Sequence, residues 1–230
     1  MAKTIVKGVT TPPPQTEAEL LQRAHHLAGI SLNEIAQQCN LAIPQSLQFK
    51  KGWVGQLLEQ ILGATAHSKA KPDFELIDVE LKTLPLNHKL LPKESTFVCT
   101  VPQQMALNWR NSQVWKKLKR VLWIPVEASK TIPIAERRIG TPILWSPGEK
   151  QETILQQDWQ ELCEMLTLGQ YAQLTARHGT YLQCRPKAAH SQILKNKIDQ
   201  QGQSHFIVPR GFYLRTSFTT QVLQDAQLLY

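Results

Sequence analysis

Apolar residues recur at helical spacing through the first quarter of the chain and then at the shorter period of strands. Leu20, Leu21, Ala24 and Leu27 keep to one helical face behind Thr16. Thr16 and Glu19, three residues on, make a capping-box pair at the helix start, and Gly29 ends the helix. Ser31 with Glu34 opens a second helix, through Cys39. A third runs from about Lys51 to Gly63, its stripe made by Val54, Leu57, Leu58, Ile61 and Leu62. Strands are predicted over residues 74–84 (or a hairpin there), 95–101, 120–126, 142–145, 179–185 and 205–214. Helix returns over 152–168 and at the terminus, 221–230. Residues 1–15, ending in Thr-Pro-Pro-Pro-Gln, read as a flexible lead-in, and the proline-bearing stretch 84–92 as a loop. With no internal repeat, the pattern predicts a mixed α/β (α+β) fold.

Composition narrows the class. At 230 residues the chain suits one domain or two lobes, and its 42% hydrophobic and 19% charged residues are those of an ordinary globular protein. No apolar run approaches a membrane span, and residues 1–15 lack the apolar centre of a signal peptide, so a cytoplasmic location is expected. Cys39, Cys99, Cys163 and Cys184 are scattered and read as buried reduced thiols. His25 and His26 are adjacent and point apart on their helix, so they make no metal pair.

The formal charge of +8 favours a polyanionic partner. The charge clusters at Lys116, Lys117, Lys119 and Arg120, at Arg137 and Arg138, at Arg185 and Lys187, and at Arg210 and Arg215. A solvated basic face gives the same pattern.

Candidate chemistry lies in the run Lys71-Pro72-Asp73-Phe74-Glu75-Leu76-Ile77-Asp78-Val79-Glu80-Leu81-Lys82. On a strand Glu80 and Lys82 share one face, while Val79 and Leu81 take the other. Ile77, Val79 and Leu81 suit a core strand, which puts Asp78, Glu80 and Lys82 on one rigid platform. Carboxylates that bind a hard cation, with an ammonium beside them, are what metal-dependent hydrolysis of a phosphodiester requires. Acid and lysine two apart also occur on any solvated amphipathic strand, and a helical Glu59 beside its apolar stripe fits a site edge or solvent equally.

The blocks Lys51-Gly52-Trp53-Val54-Gly55 with Leu58-Glu59, Asp73 with Val79-Glu80-Leu81-Lys82-Thr83, and Thr96-Phe97-Val98-Cys99 resemble the MutH family of DNA mismatch-repair endonucleases. So do Lys117 through Glu127, Leu144-Trp145-Ser146-Pro147, Thr175 through Gly179, Arg185 through Ala189, and Val208 through Leu214; in one order they cover most of the chain. The resemblance implies a type II restriction-endonuclease-like core with two lobes flanking a DNA-binding cleft, within a single domain over 1–230. It implies Mg²⁺-dependent nicking of the unmethylated strand at unmethylated or hemimethylated GATC, 5′ to the guanine. Carried over, Asp73 and Glu80 are metal ligands, Lys82 is the catalytic lysine, Glu59 is an additional acid of the active site, and Lys117 lies near the scissile phosphate. Arg185, Pro186 and Lys187 match a DNA-contacting loop, Tyr213 the residue near the adenine methyl position, and Phe97 and Lys51 further DNA contacts. Implied partners are double-stranded DNA, a MutL homologue as activator and MutS indirectly, with no membrane. On residues alone, Phe97 and Tyr213 would be core aromatics and Lys51 a surface lysine.

Two other readings stand beside this one. One is a GATC-specific restriction endonuclease of the same superfamily, although a short chain without a second catalytic motif points to a nicking monomer. The other is a non-catalytic basic DNA-binding module whose acids are structural. The C-terminal segment 219–230, with Val222, Leu223, Leu228 and Leu229, packs on the core or docks a partner, with core packing the favoured reading.

Overall fold

The computed structural model describes residues 11–47, 50, 52–66, 70–175, 177–187, 195–198 and 204–228, with 195–198 and 204–207 described by backbone alone. In chain order the first elements are α1 (Glu17–Leu27), α2 (Leu32–Gln38), α3 (Trp53–Leu62), β1 (Glu80–Leu86) and β2 (Thr96–Thr100). Then come α4 (Gln113–Leu118), β3 (Val121–Glu127), β4 (Ile143–Trp145) and α5 (Glu149–Thr167). The chain closes with β5 (Leu182–Pro186), β6 (Lys195–Ile198), β7 (Ser204–Ile207), β8 (Arg210–Leu214) and α6 (Thr216–Asp225). The fold is therefore mixed α and β.

The chain divides into two compact units. One holds Met1–Glu94, Lys119–Ser146 and Val222–Tyr230; the other holds Ser95–Leu118 and Pro147–Gln221.

In the first unit, β1 pairs parallel with β3 and β3 antiparallel with β4. Residues Val121 to Val126 of β3 are all buried, as expected of an apolar run in the middle of a sheet. Leu81, Leu122, Ile124 and Val126 join one core with Leu20 of α1, Ile35 of α2 and Leu57, Leu58 and Leu62 of α3. The helices form where the caps place them. Ser31 and Glu34 make the full capping box of α2, whereas Thr16 accepts the Glu19 N–H but the Glu19 carboxylate turns to the N–H of Gln15. Of the expected lead-in, residues 1–10 lie outside the described residues, and the Pro12 carbonyl accepts from Arg23 at 2.7 Å.

The second unit is built on an antiparallel sheet in the order β2-β8-β5, with β6 and β7 forming a separate two-stranded ladder. Leu182, Cys184, Phe212 and Leu214 are buried on one face of the larger sheet.

Several element expectations are corrected. Residues 74–79 close a tight loop, Phe74 and Val79 exchanging backbone hydrogen bonds at 2.9 and 3.3 Å, so β1 starts only at Glu80. Ile77 is therefore off the strand. Asp78, at φ 58°, turns away to an ion pair with Lys119, so it does not share the platform of Glu80 and Lys82. β1 runs on through Pro85, which is tolerated because β1 lies at an edge of its sheet. The strand expected over 205–214 is two, parted at Val208-Pro209. The last helix begins five residues earlier than its apolar pattern indicates, directly after β8. In it Val222 and Leu223 are buried, Leu228 beyond its end is half-buried, and Leu229 lies outside the described residues. α4 was not anticipated, being a single short stretch capped by the Ser112 hydroxyl on the Trp115 N–H.

Candidate active site and nucleic-acid face

The tight loop before β1 decides the geometry of the acidic residues. By returning the chain on itself it brings the Asp73 carboxylate to the backbone N–H of Leu81, which Oδ2 accepts at 2.9 Å. The Asp73 carbonyl in turn accepts from Thr65 at 2.9 Å and Ala66 at 3.3 Å, on the segment that leaves α3. Asp73 is thus fixed to both the end of α3 and the start of β1. Glu80 and Lys82 flank Leu81, and the Lys82 Nζ donates to Glu80 Oε1 at 2.7 Å. Both side chains are nearly enclosed, at 4% exposure for Glu80 and 10% for Lys82, and Asp73 is buried. Buried charges persist only when paired, so this pair is a constrained feature rather than a solvated face.

The wall beside the pair is aromatic. Parallel pairing sets Lys82 next to Trp123 on one side of the sheet, and the Trp123 ring meets Trp145 at 5.9 Å. Among the described residues no three His, Cys, Asp or Glu side chains converge closely enough to hold a metal ion. Glu59 lies on α3, half-buried, with its backbone carbonyl accepting from Ala64 at 2.8 Å. Lys117 is buried on α4, in the other compact unit.

A second group assembles on the β2-β8-β5 sheet. Phe97 of β2 and Tyr213 of β8 are register partners, their rings 5.3 Å apart and edge to face. Arg185 of β5 stacks toward the Tyr213 ring at 5.7 Å and donates to Ser95 Oγ at 2.7 Å. The Lys187 ammonium lies 4.9 Å from the centre of the Phe97 ring and donates to Thr100 Oγ1 at 2.9 Å. Phe97, at 38% exposure, is no core aromatic but the centre of a cationic surface. Gly211 makes room for it: a Cβ there would stand 2.8 Å from the ring and 3.2 Å from the Cys99 carbonyl oxygen. Burial pushes the Tyr213 phenol above its usual range, with the Arg185 guanidinium partly offsetting it. Pro186 is exposed at the end of β5, opposite Arg210. Lys51 lies outside the described residues.

The remaining expectations from composition are met in part. All four cysteines are free, three of them buried, and burial raises the Cys163 thiol to about 12. No helix among the described residues is long and apolar enough to cross a membrane.

Sequence reasoning passed over Asp158. It falls on the buried stripe of α5 with Leu155, Trp159, Leu162 and Leu166, and a carboxylate on an apolar helical face was a legible signal. It also passed over Ser95, Thr100 and Gly211, which carry no signal of their own apart from the strands they sit on.

Residues 62–158 match a family model described as the DNA mismatch repair enzyme MutH. The DNA mismatch repair protein MutH of Vibrio vulnificus is 52% identical over 217 residues, 94% of this chain and 96% of that protein. The protein of that name from Shewanella baltica is 53% identical over 92% of this chain and 96% of its own length. That of Serratia proteamaculans is 51% identical, over 92% and 94% respectively. Likeness of this degree along nearly the whole chain places it in the MutH family of DNA mismatch repair enzymes.

Proposed function

We propose that the chain is a Mg²⁺-dependent endonuclease that nicks the unmethylated strand at hemimethylated or unmethylated GATC sites, 5′ to the guanine, in methyl-directed mismatch repair. The observation that supports this best is the attachment of Asp73 to β1, which holds a buried carboxylate at the one residue between Glu80 and Lys82. We read the chain as one endonuclease domain with a restriction-endonuclease-like core, a reading that rests on family membership.

The donor set suits Mg²⁺, which takes one or two carboxylates and leaves its other positions to water and phosphate oxygens. When bound, it would withdraw charge from the scissile phosphate and acidify a water. Asp73 and Glu80 are the residues to hold it. Lys82, tied to Glu80 and fixed in a nearly dry position, supplies a preorganised donor for charge developing on phosphate oxygens or for orienting the attacking water. The expected products are a 5′-phosphate and a 3′-hydroxyl. Glu59 as an additional acid and Lys117 as a cation near the phosphate take their roles from the family resemblance.

The exposed face of the β2-β8-β5 sheet suits the duplex. Arg185 and Lys187 offer cations for phosphate or base edges, Phe97 and Tyr213 offer rings, and adenine N6 is presented in the major groove, where Tyr213 would sense its methyl group. Pro186 and Lys51 complete this set by resemblance. A MutL homologue is the proposed activator, with MutS acting through it, and the protein works as a monomer. One catalytic set with a four-base target needs such a control.

Supercoiled plasmid bearing one GATC, incubated with Mg²⁺, tests the reading. Conversion to open circle, faster with a MutL homologue and ATP, is expected, while a plasmid lacking GATC stays supercoiled. Equal nicking of the two plasmids, or direct linearisation, contradicts it. A rate indifferent to MutL over a range of concentrations contradicts the partner reading alone.

A further inference from the structure

The β5 strand, which carries Arg185 and leads directly into Lys187, begins at a corner held by several directed contacts. The buried Asp158 of α5 accepts three successive backbone N–H groups, from Thr180 at 2.7 Å, Tyr181 at 2.6 Å and Leu182 at 2.8 Å. Consecutive N–H groups turned to one point make an anion-binding hollow, filled here by a side chain of the same unit. Arg215, the residue after β8, grips the corner from its carbonyl side. It donates Nε to the Gly179 oxygen at 3.1 Å and Nη2 to the His178 oxygen at 2.8 Å, and its own N–H goes to Tyr181 at 2.9 Å. Gly179 has φ +74°, and a Cβ there would lie 1.9 Å from the Leu182 oxygen, so the corner admits only glycine at this position.

The corner sets the register of the strand. Leu182, the last residue held by Asp158, pairs with Leu214, and the same ladder sets Arg185 opposite Gly211. Strand side chains alternate, so a slip of one residue would send Arg185 to the opposite face of the sheet and displace Lys187, which follows the strand's end. A carboxylate meets this need and an amide does not. Asn offers one oxygen, and its NH₂ would face N–H donors.

We propose that Asp158 is a positioning residue for DNA recognition: held with Arg215 on the 178–182 corner, it fixes the register of β5 and thereby the aim of Arg185 and Lys187 at the duplex. The inference rests on the reading of that sheet face as the DNA-contacting one. Asp73, Glu80 and Lys82 belong to the other compact unit.

The test uses the full chain, wild type and Asp158→Asn, with nicking kinetics in Mg²⁺ and competition binding in Ca²⁺ on a GATC duplex and on a scrambled duplex of equal length. Asp158→Asn should raise KM and the GATC Kd about tenfold and shrink the GATC-to-scrambled preference by a similar factor, with kcat at saturating DNA within about threefold of wild type. A general loss of stability would instead lower active enzyme and apparent kcat and leave KM and preference unchanged, and that result overturns the proposal. Arg215→Lys, which keeps the charge but loses the fork on Gly179 and His178, should give the same KM-against-kcat split and carries the test if Asp158→Asn does not fold. Wild-type protein without GATC preference overturns the functional reading and this inference with it. Full preference retained by the variants of a GATC-specific wild type overturns the inference alone.

Discussion

Asp73 and Leu81 are joined across a tight loop, the carboxylate of one accepting the backbone N–H of the other at 2.9 Å. This bond makes a first acid and a second, seven positions apart in sequence, parts of one rigid element. Leu81 carries its own side chain into the core, so the strand cannot shift without exposing apolar surface. The loop between is held at its base by the Phe74–Val79 exchange and beside it by the Asp78–Lys119 pair.

Asp73→Ala and Glu80→Ala should each lower nicking on the order of a thousandfold, since each would remove a proposed ligand of the cation that carries charge in the reaction. DNA binding measured in Ca²⁺ should survive, because phosphate affinity comes from basic side chains elsewhere. Near wild-type cutting by either variant would show the ligand assignment to be wrong.

Lys82 neutralises Glu80 inside the fold. Lys82→Met should therefore cost about 3 kcal/mol of stability by stranding a buried carboxylate, as well as abolishing turnover. Added Mg²⁺ should raise the variant's Tm more than that of wild type, because the cation restores the lost counter-charge. An equal Mg²⁺ response in both proteins would argue that the metal does not bind at Glu80.

Tyr213 lies between Phe97 and Arg185. If it senses the adenine methyl group, Tyr213→Ser should narrow the ratio of nicking rates on hemimethylated and fully methylated sites. Discrimination as sharp as wild type would remove Tyr213 from methyl sensing.

Gly211→Ala would drive a methyl group into the space of the Phe97 ring. The ring should be displaced, weakening duplex affinity by about tenfold, roughly 1.4 kcal/mol, if Phe97 contacts DNA. Tryptophan-independent ring signals of Phe97 by NMR and a Ca²⁺ binding isotherm check the two halves. Unchanged affinity with a displaced ring would place Phe97 off the DNA.

The parts of the fold legible in the sequence are those specified locally. The Ser31–Glu34 capping box gave α2, and the unbroken apolar run from Val121 to Val126 gave β3. The start of β1 was not legible, because Ile77, Val79 and Leu81 keep a strand's alternation through what is a loop; the positive φ of Asp78 breaks it without any glycine to announce it. The neighbourhood of Glu80 and Lys82 follows from strand geometry alone. The meeting of Phe97, Arg185, Lys187 and Tyr213 does not, since it needs β8 to pair with β2 on one side and β5 on the other. Spacing carries no trace of such long-range pairing, and only the likeness to a known family named these residues together.

The most direct test of the central claim is a strand-resolved nicking assay on a duplex with one hemimethylated GATC, each strand labelled separately, in Mg²⁺. The account predicts a single cut in the unmethylated strand, 5′ to the guanine, leaving a 5′-phosphate and a 3′-hydroxyl, and no cut by Asp73→Ala protein. Cleavage of both strands at equal rates, or cutting that persists in the Asp73→Ala variant, would contradict it.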